Sequence, residues 1–297
     1  MDSLLKIHKI LVPVDYSEYS VLASRYALKI AQKADAEIRF FHSFYSPAYD
    51  LIDLTGNKNT QQKLRKDVTD KLMVGEAENM NNFLSSLNKY VSSSGLPKKK
   101  ISYEIRPGLA KEEIQKIAGE YQPSIVIMGT RGKDKKENSI LGSITEIVVR
   151  KLKYPVLAVP ENYEFVGLEN LNKIVYITDF DESDFLSIKK LMEFTNLMGL
   201  TIHCLHIGSK SDKWDRIKMD GLKDYFLKSY NEPKVECDIL PSEMNVLNAI
   251  NNYIKEKKIN LISLTSKKRN VYEKIFKPNL TKRLFYHSNI PLLVFHI

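Results

Sequence analysis

The amino-acid sequence repeats itself, and this limits the possible folds more than any other feature. KILVPVDYSEYS (Lys9 to Ser20) matches KIVYITDFDESD (Lys173 to Asp184) position for position, which sets Asp15 opposite Asp179 and Ser17 opposite Asp181. EIRFFHSF corresponds to TIHCLHIG, so His42 stands opposite His206. From Ile125 to Val159 the chain runs without a gap onto Leu261 to Phe295. Self-similarity of this kind means that one supersecondary unit is built twice. A length of 297 residues also exceeds what one core usually organises and suits two domains of about 150 residues each. The expected domains are residues 1–160 and 171–297, separated by the polar segment ENYEFVGLEN.

Within the first copy, short β-branched runs alternate with helical spacing, the pattern of a parallel sheet with crossover helices. Lys9 to Val14 reads as a buried strand. A helix capped by Ser17 comes next, with Ala23, Tyr26, Ala27, Ile30 and Ala34 on one face. Glu37 to His42 is the second strand, and a long charged helix runs from about Thr60 to Ser92 before the breaker SSSGLP. Ile101 to Arg106 reads as strand, Leu109 to Glu120 as helix and Ser124 to Met128 as a wholly apolar strand. Ser143 to Leu152 reads as helix and Val156 to Val159 as the last strand. The predicted fold is α/β, with two tandem doubly wound, parallel five-stranded sheets.

Composition narrows the class. With 43% hydrophobic and 27% charged residues the chain is that of an ordinary globular protein, and no run approaches the ~20 apolar residues that cross a bilayer. The first nine residues lack a signal-peptide apolar core, so a cytoplasmic location is expected and no membrane partner. The two cysteines, Cys204 and Cys237, lie in apolar strand-like runs without CxxC spacing and read as reduced, buried thiols. A net charge of +9 favours phosphate-bearing partners in general. Its short clusters (Lys98 to Lys100, Lys133 to Lys136, Lys267 to Arg269) fall where turns are expected, and no basic face interleaved with aromatics supports nucleic-acid binding.

One constellation carries chemistry. The fourth strand of the first copy ends in Gly129-Thr130-Arg131-Gly132, and nine residues later Gly142-Ser143 opens a helix. Glycines allow close backbone approach, and a helix N-terminus offers unpaired N–H groups at the positive end of its dipole, an arrangement suited to phosphate. Ser143 adds a hydroxyl, and Arg131, Lys133, Lys135 and Lys136 add charge. Neither GxxxxGK[ST] nor a GxGxxG after the first strand is present. The first strand ends instead in Pro13-Val14-Asp15. A carboxylate at the C-terminal end of a strand faces the ligand crevice in such folds, although Asp15 also suits the role of a helix cap beside Ser17.

These residues resemble the universal stress protein family in its tandem-domain form. The resemblance rests on ILVPVD with Ser17, on Phe41-His42, and on IVIMGTRG...GSITEIVV...YPVLAVP; it covers the first copy fully and the second as a diverged one. The Gly-x2-Gly-x9-Gly-Ser spacing agrees with that family's ATP-binding signature at each fixed position. The resemblance implies strand order 3-2-1-4-5, with Asp15 and Gly129 facing each other at the switch point. It implies ATP or AMP as ligand, with Mg2+ as a candidate companion. Adenine would lie near Ser43, and Asp15 would hold base or ribose. Gly129, Gly132, Gly142 and Ser143 would hold phosphates, and Met128 would pack near sugar or base. Pro13, Val14, Arg131 and Ile144 would flank the nucleotide. Ser43 departs from the aliphatic residue usual in the family.

In the second copy the positions of Gly129, Gly132, Gly142 and Ser143 are Thr265, Lys268, Pro278 and Asn279. A proline offers no N–H and a β-branched residue resists positive φ, so nucleotide binding is expected in the first copy alone, with Asp179 left to cap its helix. His203, Cys204 and His206 invite a metal reading, but residues 203 and 206 of a strand point to opposite faces. No Ser-His-Asp or Cys-His order supports nucleophilic catalysis, and without a P-loop lysine or a base beyond Asp15 slow ATP hydrolysis is the most that enzymatic chemistry would amount to. The readings carried forward are a nucleotide-binding stress-response regulator and, alternatively, a pseudo-symmetric scaffold acting through protein partners. The family resemblance further implies pairing of VLAVP with PLLVF and a homo-oligomer, a dimer of tandem chains.

Overall fold

The computed structural model describes residues 6–47, 58–94, 100–130, 143–160, 171–209, 211–230, 235–241, 246–266 and 290–296. The first copy contributes β1 (Lys9–Pro13), α1 (Glu18–Ala34), β2 (Glu37–Phe44), α2 (Lys58–Ser94), β3 (Ile101–Pro107), α3 (Ala110–Tyr121), β4 (Ile125–Gly129), α4 (Ser143–Lys151) and β5 (Val156–Val159). The second contributes β6 (Lys173–Thr178), α5 (Glu182–Met198), β7 (Thr201–Gly208), α6 (Lys213–Tyr230), β8 (Glu236–Pro241), α7 (Val246–Lys257), β9 (Leu261–Ser266) and β10 (Leu292–His296). Every element read from the first copy is present, its ends displaced by no more than two residues. The largest shift in a strand is that of β2, which continues past His42 through Ser43 and Phe44 because its backbone keeps pairing with β3 as far as Pro107.

Local chemistry sets the helix ends. Ser17, in extended backbone, accepts the N–H of Ser20 at the start of α1, and the helix stops at Asp35 in the left-handed region, φ 53°. α3 ends in the same way at Gln122, φ 52°. Among the described residues no helix is long and apolar enough to cross a membrane.

The two five-stranded sheets, each in the order expected, are fused into one ten-stranded sheet: β3-β2-β1-β4-β5-β10-β9-β6-β7-β8. All neighbours are parallel except at the centre, where β10 and β5 pair antiparallel through Leu292↔Ala158, Leu293↔Leu157 and Val294↔Val156. The pairing of VLAVP with PLLVF is thus made within the chain. One face of the sheet is covered by α1, α2, α5 and α6 around a core that runs through both halves, and the other by α3, α4 and α7. The halves are tied further by Lys33 Nζ, which donates to the Met198 carbonyl at 3.1 Å, and by the buried His296 ring, whose Nδ1 lies 2.9 Å from the Tyr154 carbonyl and Nε2 2.5 Å from that of Val149.

Leu293 is fully buried in the core shared by both halves. Leu293→Ala is expected to lower stability by about 2–5 kcal/mol, the usual cost of a core truncation. Urea denaturation followed by circular dichroism should show one transition shifted as a whole; two separated transitions would mean that the halves fold independently of this seam.

Candidate functional site

The crevice of the first half opens where β1 and β4 end. These strands are parallel neighbours, and continuing their register (Ile10↔Ile125, Leu11↔Val126) brings Val14 level with Gly129. Val14 keeps its N–H on the Phe41 carbonyl of β2 at 2.8 Å. The backbone then turns at Tyr16, which takes a left-handed φ of 63°, and enters α1. The Asp15 carboxylate lies at that helix's N-terminus. Its Oδ1 accepts Ser17 Oγ at 2.5 Å, Ser20 Oγ at 2.6 Å and the Ser17 N–H at 3.1 Å, while the Asp15 N–H donates to Ser20 Oγ at 3.0 Å. The helix-capping role of Asp15 is therefore realised, with Ser20 a partner that the sequence reading missed.

Gly129 closes β4 for a reason of packing. A Cβ built on it would stand 2.6 Å from Tyr19 Cβ and 3.1 Å from the Tyr19 carbonyl carbon, so only glycine lets α1 come this near to the strand. Its φ lies outside the left-handed region, so close approach, and not a positive φ, is what selects glycine at this position. The Thr130 N–H continues the sheet on the Val159 carbonyl at 2.9 Å. Buried Thr145, in the first turn of α4, donates through Oγ1 to the Gly129 carbonyl at 3.0 Å and so ties the start of α4 to the end of β4. Nothing in residue type or spacing flags Thr145 or Ser20; their roles arise from where α4 and α1 sit on the sheet.

The remaining expected site residues fall in three groups. Pro13 and Val14 are buried at the end of β1, and Ser43 is half-buried on β2 opposite Arg106 of β3. Met128 is buried in the core beneath α3 and α4, against which Ile144 packs, so the structure gives it a packing role. Arg131, Gly132 and Gly142 lie outside the described residues; Ser143 is described only as the first residue of α4.

His42 and His206 hold equivalent structural positions. His42 Nδ1 donates to the Val14 carbonyl at 2.7 Å and its Nε2 lies 3.4 Å from Glu76 of α2; His206 Nδ1 donates to the Thr178 carbonyl at 2.9 Å and its Nε2 lies 3.6 Å from Asp215 of α6. Each ring stacks on the left-handed residue of its own turn, Tyr16 at 4.3 Å and Phe180 at 4.2 Å. Tyr16 also donates its hydroxyl to the Glu76 carbonyl, and burial together with the Glu76 carboxylate raises its pKa. His203 points to the other face of the sheet, beside Tyr253.

The second-half crevice is filled from within. Tyr176, Asp184 and Thr265 stand where the first half has Val12, Ser20 and Gly129. The Tyr176 hydroxyl donates to Asp184 Oδ1 at 2.7 Å and lies 2.7 Å from Thr265 Oγ1. Asp184 Oδ2 accepts Thr178 Oγ1 at 2.7 Å and the N–H groups of Asp179 and Asp181 at 3.2 Å each. Burial, with the Asp184 charge second to it, pushes the Tyr176 phenol well above its ordinary value, keeping it a donor. Lys268, Pro278 and Asn279 lie outside the described residues.

Known proteins match the chain along the same division. The family described as "Universal stress protein family" matches residues 6–160. Universal stress protein MJ0531 of Methanocaldococcus jannaschii is 28% identical over 151 residues, 51% of this chain and 81% of that protein. Universal stress protein MJ0577 of the same organism is 28% identical over 158 residues, 51% of this chain and 93% of that protein. Both halves are spanned by the crystal structure of a universal stress protein from Archaeoglobus fulgidus, with a TM-score of 0.67 at 18% identity, covering 98% of this chain and 99% of that one, which is a likeness of fold.

Two substitutions test the crevices. Gly129→Ala forces α1 away from β4 and is expected to cost about 1–3 kcal/mol. Tyr176→Phe leaves Asp184 and Thr265 each short of a buried partner and should cost about 1–3 kcal/mol. Thermal unfolding measures both; a melting temperature unchanged by either would remove that residue from the packing described.

Proposed function

Because the chain belongs to the universal stress protein family, we propose that it is a stress-response regulator whose first half binds an adenine nucleotide, ATP or AMP, while its second half does not. The observation that supports this reading is the meeting of the end of β4 with the start of α4 beside the end of β1, where the sequence carries the glycine spacing. Gly129 ends β4 level with Val14, next to Asp15 in the chain, at the switch point of the sheet, and α4 starts at the same edge, held there by Thr145. The N-terminus of α4 offers the unpaired N–H groups that a phosphate chain needs, and the sequence sets Gly132 between it and β4. Ser43 marks the adenine end, and Asp15 would hold base or ribose.

The second half supports the asymmetry. There Tyr176, Asp184, Thr178 and Thr265 already bond to one another, so a phosphate reaching them would have to break buried hydrogen bonds. A second reading has one observation in its favour: Asp15 and Gly129 each have a structural reason to be what they are, in capping and in helix packing. On that reading the chain is a scaffold for a protein partner.

The two readings part on what the protein carries. Full-length protein purified without added nucleotide, denatured and analysed by mass, should release adenine nucleotide; release of none, together with no heat of ATP or AMP binding, would leave the scaffold. Gly132→Val should weaken binding about tenfold or more, ~1.4 kcal/mol or above, at unchanged melting temperature. Unchanged affinity would take the phosphates away from this loop.

A further inference from the structure

Cys204 and Cys237 are 33 positions apart in the chain and side by side in the sheet. They are register partners on the parallel strands β7 and β8. Neighbouring strands run about 4.8 Å apart, within the ~4.4–6.8 Å over which a disulfide joins two Cα atoms. Both side chains turn to the same face, Cys204 within the core under α5 and α6 and Cys237 packed against it. Neither thiol is in a disulfide. They differ in access: Cys204 is buried, whereas Cys237 is half-buried on β8, which among the described residues is an edge strand paired on one side.

We infer that Cys204 and Cys237 form a redox-sensitive dithiol, which a hydroperoxide converts into an intramolecular disulfide with Cys237 as the attacking thiol and Cys204 as the resolving one. The electrostatics favour that division of labour. The neighbouring Cys204 thiol, with help from Lys223 of α6, lowers the pKa of Cys237 against the opposing effects of partial burial, Asp238 and Asp220, whereas full burial raises that of Cys204. In the first step the Cys237 thiolate attacks a peroxide oxygen and the O–O bond breaks. The departing hydroxide takes up a proton to leave as water, and Cys237 becomes a sulfenic acid. In the second the Cys204 sulfur displaces the sulfenic hydroxyl, the S–O bond breaks as the S–S bond forms, and the hydroxyl leaves as water with the Cys204 proton. Two thiols lose two electrons in all, and hydrogen peroxide is reduced to two waters. Cys237 is the second residue of β8, and Cys204, midway along β7, is also the register partner of Tyr176 on β6, so the pair lies beside the hydrogen-bonded group of the second half.

The test uses the full chain and hydrogen peroxide. Quenched with an alkylating agent and mapped without reduction, the oxidised protein should show a loss of about two hydrogens and a peptide linking 204 to 237, both reversed by dithiothreitol. Cys204→Ser should stop at a sulfenic acid on Cys237 that dimedone traps, and Cys237→Ser should consume peroxide about tenfold more slowly and leave Cys204 unmodified. Wild-type protein whose two thiols both remain alkylatable on unfolding after oxidation, or whose only links join separate chains, would overturn the assignment. Dimedone on Cys204 in the Cys237→Ser protein would overturn the roles, and the wild-type map decides the matter even if a variant fails to fold.

Discussion

The antiparallel pairing of β5 with β10 is the interaction on which the rest of this molecule depends. Each half taken alone would end its sheet at a short, wholly apolar strand with unpaired N–H and C=O groups, a template for unwanted association. Joined, Val156, Leu157 and Ala158 meet Val294, Leu293 and Leu292, and both strands become interior, with one core passing beneath them. Among the described residues only β3 and β8 remain as edges. Lys33 and His296 add polar ties between the halves where their helices and strand ends meet.

Around this seam one scaffold has been resolved in two ways. At three matched positions the first half has Val12, Ser20 and Gly129 and the second Tyr176, Asp184 and Thr265. The smaller set lets α1 lie close on β4 and leaves the serine hydroxyls to hold Asp15. The larger set fills the same space with a hydrogen-bonded phenol, carboxylate and hydroxyl. A buried network of this kind holds its shape only if each member is satisfied, which explains why the three residues differ together. The turn before the helix did not change: Tyr16 and Phe180 keep the same left-handed φ, and His42 and His206 grip the same carbonyl.

The elements were legible in the sequence because each is written locally: β-branched runs for β1 and β4, Ser17 as cap, apolar spacing for α1 and α3. The repeat made the topology legible as well. Features that were not legible arise across the sheet. The Gly129 requirement comes from a helix more than a hundred residues earlier, Met128 faces the α3 and α4 core because of strand alternation in register with its neighbours, and Cys204 meets Cys237 only through pairing of β7 with β8. Asp15 was readable as ligand group and as cap, and its bonds to Ser17 and Ser20 realise the second role without removing the first. The glycines at 132 and 142 remain a matter of spacing alone.

The reversal of direction at the central seam has a geometric effect. Ligand crevices in such sheets form beyond the carboxyl ends of the strands. Since the strands of the two halves run oppositely on either side of β5 and β10, the two crevices open toward opposite rims of the molecule. The second crevice could therefore be rebuilt around Tyr176, Asp184 and Thr265 without crowding whatever docks at the first, and this polarity gives the protein a head and a tail.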